Sequence, residues 1–438
     1  MSSPKRPVPS APVMSPSGLT RRQFLGTAAA GASATLFAGP GASAWAAPAG
    51  VTAALPGPAS PASGDGILVL LTLYGGNDGL NMVVPYADTA YQAGRGELAV
   101  RPEQVLRLDD MFGLHPAMSG LRAMWDRGRV AIVRGVGYPN PNRSHFRSMD
   151  IWQTATPEAY VPTGWLGRWL DATGADPLRM VNIGSSLPRA MAATKGSGAA
   201  LNPGRIGLPG GSAIETVFAE LNRPGAGADL GPLGTRIAAS GSDLLKVNRS
   251  FGPILKGGAA VVGGSSNLEG GAVAAGNQDG AGGLSRDLGE VSTLVRAGVP
   301  TRVFGVSLGG FDTHAAQNDQ HARLMGVLDA ALTSFFGGLE SHPQGQRVTV
   351  VVYSEFGRRV AANASIGTDH GTAAPVLVIG PQVKGGFHGD APSLVDLDQG
   401  DLKFSVDFRS VYRAVLESVL GIDAAAVLGR AVAPVALF

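Results

Sequence analysis

The 438-residue chain has no cysteine, few aromatic residues (6%) and few charged ones (16%). Without cysteine, no disulfide contributes to stability and no thiolate can act as nucleophile or metal ligand. Lys and Arg number 35 against 33 Asp and Glu, a formal net charge of +2. The basic residues are scattered and not blocked, so the electrostatic footprint of a nucleic-acid binder is missing. Past the first fifty residues no apolar run is long enough to cross a bilayer, which argues against a stable membrane anchor in the mature protein.

What is present begins with an address. A basic, Pro/Ser-rich start leads to Thr20-Arg21-Arg22-Gln23-Phe24-Leu25, a weakly apolar Gly/Ala-rich run, and small residues around Ala42-Ser43-Ala44. This is the layout of a signal peptide over residues 1–44. Adjacent arginines followed by Phe-Leu fit the twin-arginine class. The expectation is a periplasmic or extracellular protein that meets the Tat translocase, as its partner during export, already folded. Residues 45–65, rich in Ala, Pro and Ser without apolar periodicity, read as a disordered spacer. The remainder, 66–438, is ample for a large core.

Within that remainder, short β-branched runs that are apolar on both faces occur at 67–74, 130–136, 302–308, 347–353 and 375–380. Helical patterns separate them. Leu284, Leu288, Val291, Leu294 and Val295 recur at helical spacing, and further helices are expected over 317–339 and 408–420. Strand and helix in alternation predict an α/β fold, a mainly parallel sheet sandwiched between helices. The Gly/Ala-rich stretch 252–283 reads as a mobile surface insertion in one domain.

The polar clusters follow the strands. Gly75-Gly76-Asn77-Asp78-Gly79, Asn142-Arg143-Ser144-His145-Phe146-Arg147, Gly310-Phe311-Asp312-Thr313-His314 and Ser354-Glu355-Phe356-Gly357-Arg358-Arg359 each come after an apolar run. In an open parallel sheet such segments converge on one crevice. Asp312 and His314 offer mixed N/O donors of the kind zinc accepts, unless Asp312 caps a helix beside a solvated histidine. His370, in Thr368-Asp369-His370-Gly371 before the last strand, has the backbone freedom of a ligand or of a turn. Asn77 or Asp78 either projects into the crevice as an oxygen ligand or serves a tight turn. Ser144 beside His145, between Arg143 and Arg147, suits a hydroxyl nucleophile with cationic stabilisation, or a polar loop. The two arginines after Glu355 would bind an oxyanion or only a surface. His321, followed by Ala-Arg-Leu, reads as a surface position on a helix and is left out of the set.

Taken together, GGNDGLNMVVPY, NRSHFRSMDIWQT, GGFDTH, SEFGRR, GTDHGTAAPVLVIG and VDFRSVY resemble the Tat-exported bacterial family known as domain of unknown function 1501. That family looks like a branch of the alkaline phosphatase and sulfatase superfamily, α/β hydrolases that use metal ions on phosphate and sulfate esters. The resemblance implies an alkaline phosphatase-like fold and a divalent cofactor, zinc favoured. It implies Asp312, His314 and His370 as ligands of one ion, with Glu355 and Asp78 completing that site or holding a second. Ser144, or a hydroxide supplied by the ion, would attack in line, with His145 in the same cluster and Arg143 or Arg147 stabilising the charge. Where an Asp-His dipeptide would serve the second ion, this chain has Glu355-Phe356, which removes one nitrogen ligand. The formylglycine signature of sulfatases is absent. The expected substrate is a small-molecule or glycan ester. The other reading is a non-catalytic extracytoplasmic binding or assembly protein on a degenerate version of the same fold.

Overall fold

Seven consecutive buried residues, Ile67–Leu73, form the central strand β1. In this computed structural model the described residues are 64–202, 211–223, 225, 229, 231–258, 282–430 and 432–438. The signal peptide, nearly all of the spacer and residues 259–281 of the Gly/Ala-rich stretch lie outside them. The described parts of that stretch are helical: Gly252 to Gly258 continues a helix that begins at Gly231, and Gly282 opens the helix Gly282–Arg296.

The main sheet adds β2 (Val130–Gly137), β3 (Met180–Ile183), β4 (Ala199–Leu201), β5 (Val303–Leu308), β6 (Val348–Ser354), β7 (Ala374–Ile379), β8 (Gly386–His388) and β9 (Val406–Asp407). Its order is β8-β2-β7-β6-β1-β5-β3-β4, with β9 also paired to β2. Every pairing is parallel except those of β7, which runs antiparallel to both β2 and β6. The sheet is therefore mixed and mostly parallel, with helices on both faces. The five strands read from the sequence are all present.

Alternate residues of each strand feed two cores, because successive side chains point to opposite faces. Val69 and Leu71 pack with Leu121 and Met124 of α1 (Ser119–Asp126) on one side. Leu68 and Leu70 pack on the other side with Trp152 of α2 (His145–Thr154) and Trp165 and Trp169 of α3 (Trp165–Ala172). The first core also takes Phe251 of α4 (Gly231–Gly258), Leu288 and Val291 of α5 (Gly282–Arg296), and Leu328 and Leu332 of α6 (Gln317–Leu339). The second takes Tyr412 and Val415 of α7 (Phe408–Ser418). Two covered faces explain why the strands are apolar throughout and do not alternate.

The direction of β7 fixes where chemistry can gather. Because it is antiparallel, the loop that enters it lies beside the carboxyl ends of β2 and β6. Residues 367–373 thus share an edge with segments that leave the parallel strands.

Candidate metal centre

Backbone packing brings the loops after β1 and β5 into contact. Gly75 has φ +113° and Gly76 φ +70°, and a Cβ on Gly75 would stand 2.5 Å from the Asp312 nitrogen. Only glycine meets both conditions. The Phe311 amide donates to the Tyr74 carbonyl at 3.2 Å, and the Phe311 ring is fully buried, so Asp312 is held at the rim. Opposite, a short hairpin pairs Arg358–Ala362 with Thr368–His370, and Arg358 lies directly across from His370.

Three imidazoles and two carboxylates meet there. His370 Nε2 is 3.1 Å and His314 Nε2 2.9 Å from Asp312 Oδ1, and these two nitrogens are 2.9 Å apart. His145 Nε2 is 3.4 Å from Asp312 Oδ2. His145 Nδ1 is 2.8 Å from Glu355 Oε1, which also accepts from the Gly75 amide at 2.9 Å. Ser354 Oγ donates to Glu355 Oε2 at 2.9 Å. The Phe356 ring packs against His145 and His370, with centroids 4.9 and 4.7 Å away.

Hydrogen-bond partners set the tautomers. His370 Nδ1 lies 2.9 Å from the Arg143 carbonyl, which only accepts, so Nδ1 carries the proton and a neutral ring turns a lone pair at Nε2 toward Asp312. His145 Nδ1 donates to Glu355 in the same way. Its Nε2 is buried and has no hydrogen-bond partner. One ligand atom each from His145, Asp312 and His370 falls within 4.8 Å of the others. Converging lone pairs and a carboxylate repel unless a cation or proton lies between them, and two nitrogens with one oxygen suit zinc or a similar ion. The residues present therefore fit a divalent ion. Glu355 and the Arg143 carbonyl stand behind the imidazoles as orienting partners.

Electrostatics favour a charged Asp312 and a neutral His370, whereas His145 is drawn toward its protonated form. Burial works to raise the Asp312 carboxyl, but the hydrogen bond from Arg358, with a further one from His370 when its Nε2 is protonated, brings it down to about 2. His145 is raised, chiefly by its hydrogen bond to Glu355, against the effect of burial. Burial lowers His370, against hydrogen bonds to Asp312 and the Arg143 carbonyl.

Arg358, expected from the sequence to bind an oxyanion or only a surface, does neither. It is 1% exposed. Its Nε donates to the Gly76 carbonyl at 2.6 Å and Nη1 to the Thr368 carbonyl at 2.7 Å. Nη2 donates to the carbonyls of Gly75 (2.5 Å) and Phe311 (3.1 Å) and to Asp312 Oδ1 (2.8 Å). The guanidinium ties three loops together and reaches the cluster; its donors are spent, leaving none for an oxyanion.

Other expected site residues lie apart. Asp78 is fully buried and ion-paired with Arg95, whose Nη2 donates to Asp78 Oδ1 at 2.8 Å; Gln317 Nε2 donates to Oδ2 at 2.5 Å. It also caps the short helix Gly79–Met82, so it faces inward and does not reach the cluster. Arg147 is engaged by Asp150 and the Pro157 carbonyl. Ser144 is exposed at the start of α2, and its hydroxyl makes no hydrogen bond to the cluster among the described residues. Arg143 pairs with Asp401 on the wall of an adjoining cavity of about 720 Å³, also lined by Phe356, Thr372 and Lys403. His321, read as a surface position, is instead 2% exposed with Nε2 3.1 Å from Asn77 Oδ1. It lies on the inward stripe of α6.

Residues 292–429 match the model of a family described as "Protein of unknown function (DUF1501)", which agrees with the motif resemblance. No curated protein matches the chain. Among solved structures the chain is similar to Ps i-CgsB in complex with a neocarrahexaose, with 11% identity over 84% of this chain and 73% of that one, TM-score 0.36. It is similar to a Vibrio parahaemolyticus protein in the alkaline phosphatase superfamily, with 11% identity over 76% of this chain and 64% of that one, TM-score 0.32. It is also similar to the C-terminal periplasmic domain of EcEptC from Escherichia coli in complex with Zn, with 8% identity over 73% of this chain and 75% of that one, TM-score 0.32. Likeness at this level says nothing of activity.

Proposed function

We propose that this protein is an exported metal-dependent hydrolase of a phosphate or sulfate ester. The observation that carries the reading is the buried Nε2 of His145, without a hydrogen-bond partner, beside His370 Nε2 and the Asp312 carboxylate. His145, His370 and Asp312 would hold one divalent ion, with Glu355 and the Arg143 carbonyl fixing the two rings. Such an ion supplies Lewis-acid polarisation of the ester and a nucleophile at neutral pH. His314, whose Nε2 adjoins that of His370, is the base placed to take the proton of the attacking water. Arg143, on the cavity wall, is the cation placed to meet a negatively charged ester. Export through the twin-arginine route rests on Arg21-Arg22 and the residues that follow.

A binding protein without turnover is the second reading, and the position of Ser144 favours it: it is exposed at the start of α2, and among the described residues its hydroxyl makes no hydrogen bond to the cluster. The test begins with metal analysis of the mature protein, followed by turnover of phosphate and sulfate monoesters. His370→Ala should leave the fold intact and lose metal and activity together. Full metal content without turnover of any ester would sink the hydrolase reading and leave the binding one. His370→Ala with native metal and native turnover would remove His370 from the centre.

A further inference from the structure

We infer that Arg358 is a built-in cation of this centre, so that the cluster takes one divalent ion and not two. The inference rests on the metal-dependent reading above and concerns how its charge is arranged. Asp312 presents its two oxygens to different neighbours. Oδ1 accepts from Arg358 Nη2 at 2.8 Å, and Arg358 Nη1 lies 3.5 Å from His314 Nε2. Oδ2 faces His145. Oδ1, which His370 and His314 also approach, therefore already carries a fixed positive charge, and Oδ2, beside His145, is left to an ion.

Among the described residues, no second set of ligands completes a place for another ion. Glu355 is occupied by His145, the Gly75 amide and Ser354. Phe356 closes the flank of His145 and His370 with an apolar ring, and a Cβ on Gly76 would lie 2.2 Å from that ring. Asp78 is consumed by Arg95. An ion brought to the Asp312 Oδ1 and His314 side would stand against a guanidinium that cannot withdraw, because carbonyls of Gly75, Gly76, Phe311 and Thr368 hold it. Repulsion at such range in a partly buried site is strong. The guanidinium thus supplies the second positive charge permanently.

The test is titration of the chelator-stripped mature protein with zinc chloride alone, read by native mass spectrometry and calorimetry. Wild type should bind one zinc per chain. Arg358→Lys, which keeps the charge, should also bind one. Arg358→Met, checked by circular dichroism for folding, should bind a second zinc or bind the first roughly tenfold more tightly. Two zinc ions on wild type or on Arg358→Lys would overturn the inference while leaving the hydrolase reading standing. A folded Arg358→Met that binds one zinc with wild-type affinity would overturn it as well. No zinc on wild type would overturn the metal-dependent reading itself, and this inference with it. If Arg358→Met does not fold, the counts on wild type and Arg358→Lys decide.

Discussion

Two clusters of acid, histidine and arginine lie just beyond β1, and they are built on opposite terms. Around Asp78 the charges are matched and sealed: Asp78 and Arg95 are both 0% exposed, Gln317 bridges Asp78 to Thr368, and His321 donates to Asn77. Around Asp312 the carboxylate is 48% exposed, Arg358 meets only one of its oxygens, and nitrogens of His145 and His370 converge on it. The first cluster pairs its carboxylate with an arginine, and only Arg95 Nε is left buried without a hydrogen-bond partner. The second has an excess of electron-rich atoms aimed at one point. Similar residue types therefore make a structural joint in one place and a receptive site in the other, and the accounting of partners distinguishes them.

The largest expected effect breaks the sealed cluster. Asp78→Ala leaves Arg95 buried without its counter-charge and should cost about 3–5 kcal/mol in chemical denaturation, with metal content of the folded fraction unchanged. The same region should respond to acid. Burial holds His115 and His321 down to about 4, below the ordinary 6.5. Between those values the unfolded chain binds more protons than the folded one, so stability should fall as pH drops from 6.5 toward 4. His321→Gln should flatten that slope. A melting temperature independent of pH across this window, or metal lost along with stability in Asp78→Ala, would erase the contrast between the clusters.

A smaller effect sharpens the open cluster. Glu355→Gln keeps an acceptor for the Gly75 amide but removes the charge behind His145. Metal affinity should weaken about 10–100-fold, or about 1.4–2.8 kcal/mol, with little change in melting temperature. Zinc titration reads the first quantity and calorimetric unfolding the second. A drop in stability without a drop in affinity would make Glu355 part of the scaffold, like Asp78.

The contrast also marks what could be read from sequence. The strands were legible because burial on both faces leaves continuous apolar runs, and α6 because its ends and period agree. The direction of β7 was not legible, since a buried strand looks the same whichever way it runs. Asp312, His314 and His370 could be singled out because each lies beside glycines at the edge of a strand. Asp78 has the same local signature, but its partner Arg95 arrives from a separate helix, and only the fold turns it inward. His321 carried an overlooked signal: with Gln317, Leu324 and Leu328 it forms a helical stripe that is buried throughout. Arg358 gave no local sign of its role, because its acceptors are carbonyls of loops distant in sequence.

The smallest expected effect concerns an arginine that neighbours the open cluster in sequence but not in bonding. Arg147 donates to Asp150 Oδ2 at 2.6 Å and to the Pro157 carbonyl at 3.0 Å, and its guanidinium lies 4.0 Å from the centre of the Tyr160 ring. Asp150 has a second partner, since Arg189 Nε lies 2.8 Å away. Loss of Arg147 therefore strands no buried charge. Arg147→Gln should cost about 1 kcal/mol, the net worth of a hydrogen bond, because the mostly covered Asp150 keeps Arg189 as partner. Zinc stoichiometry and affinity should match wild type, because no bond runs from Arg147 to His145, Asp312 or His370. Parallel titrations of Arg147→Gln and Glu355→Gln make the comparison direct. A fall in zinc affinity for Arg147→Gln as large as that for Glu355→Gln would show that α2 transmits its own packing to His145, and the boundary of the open cluster would have to be drawn around the whole first turn of that helix.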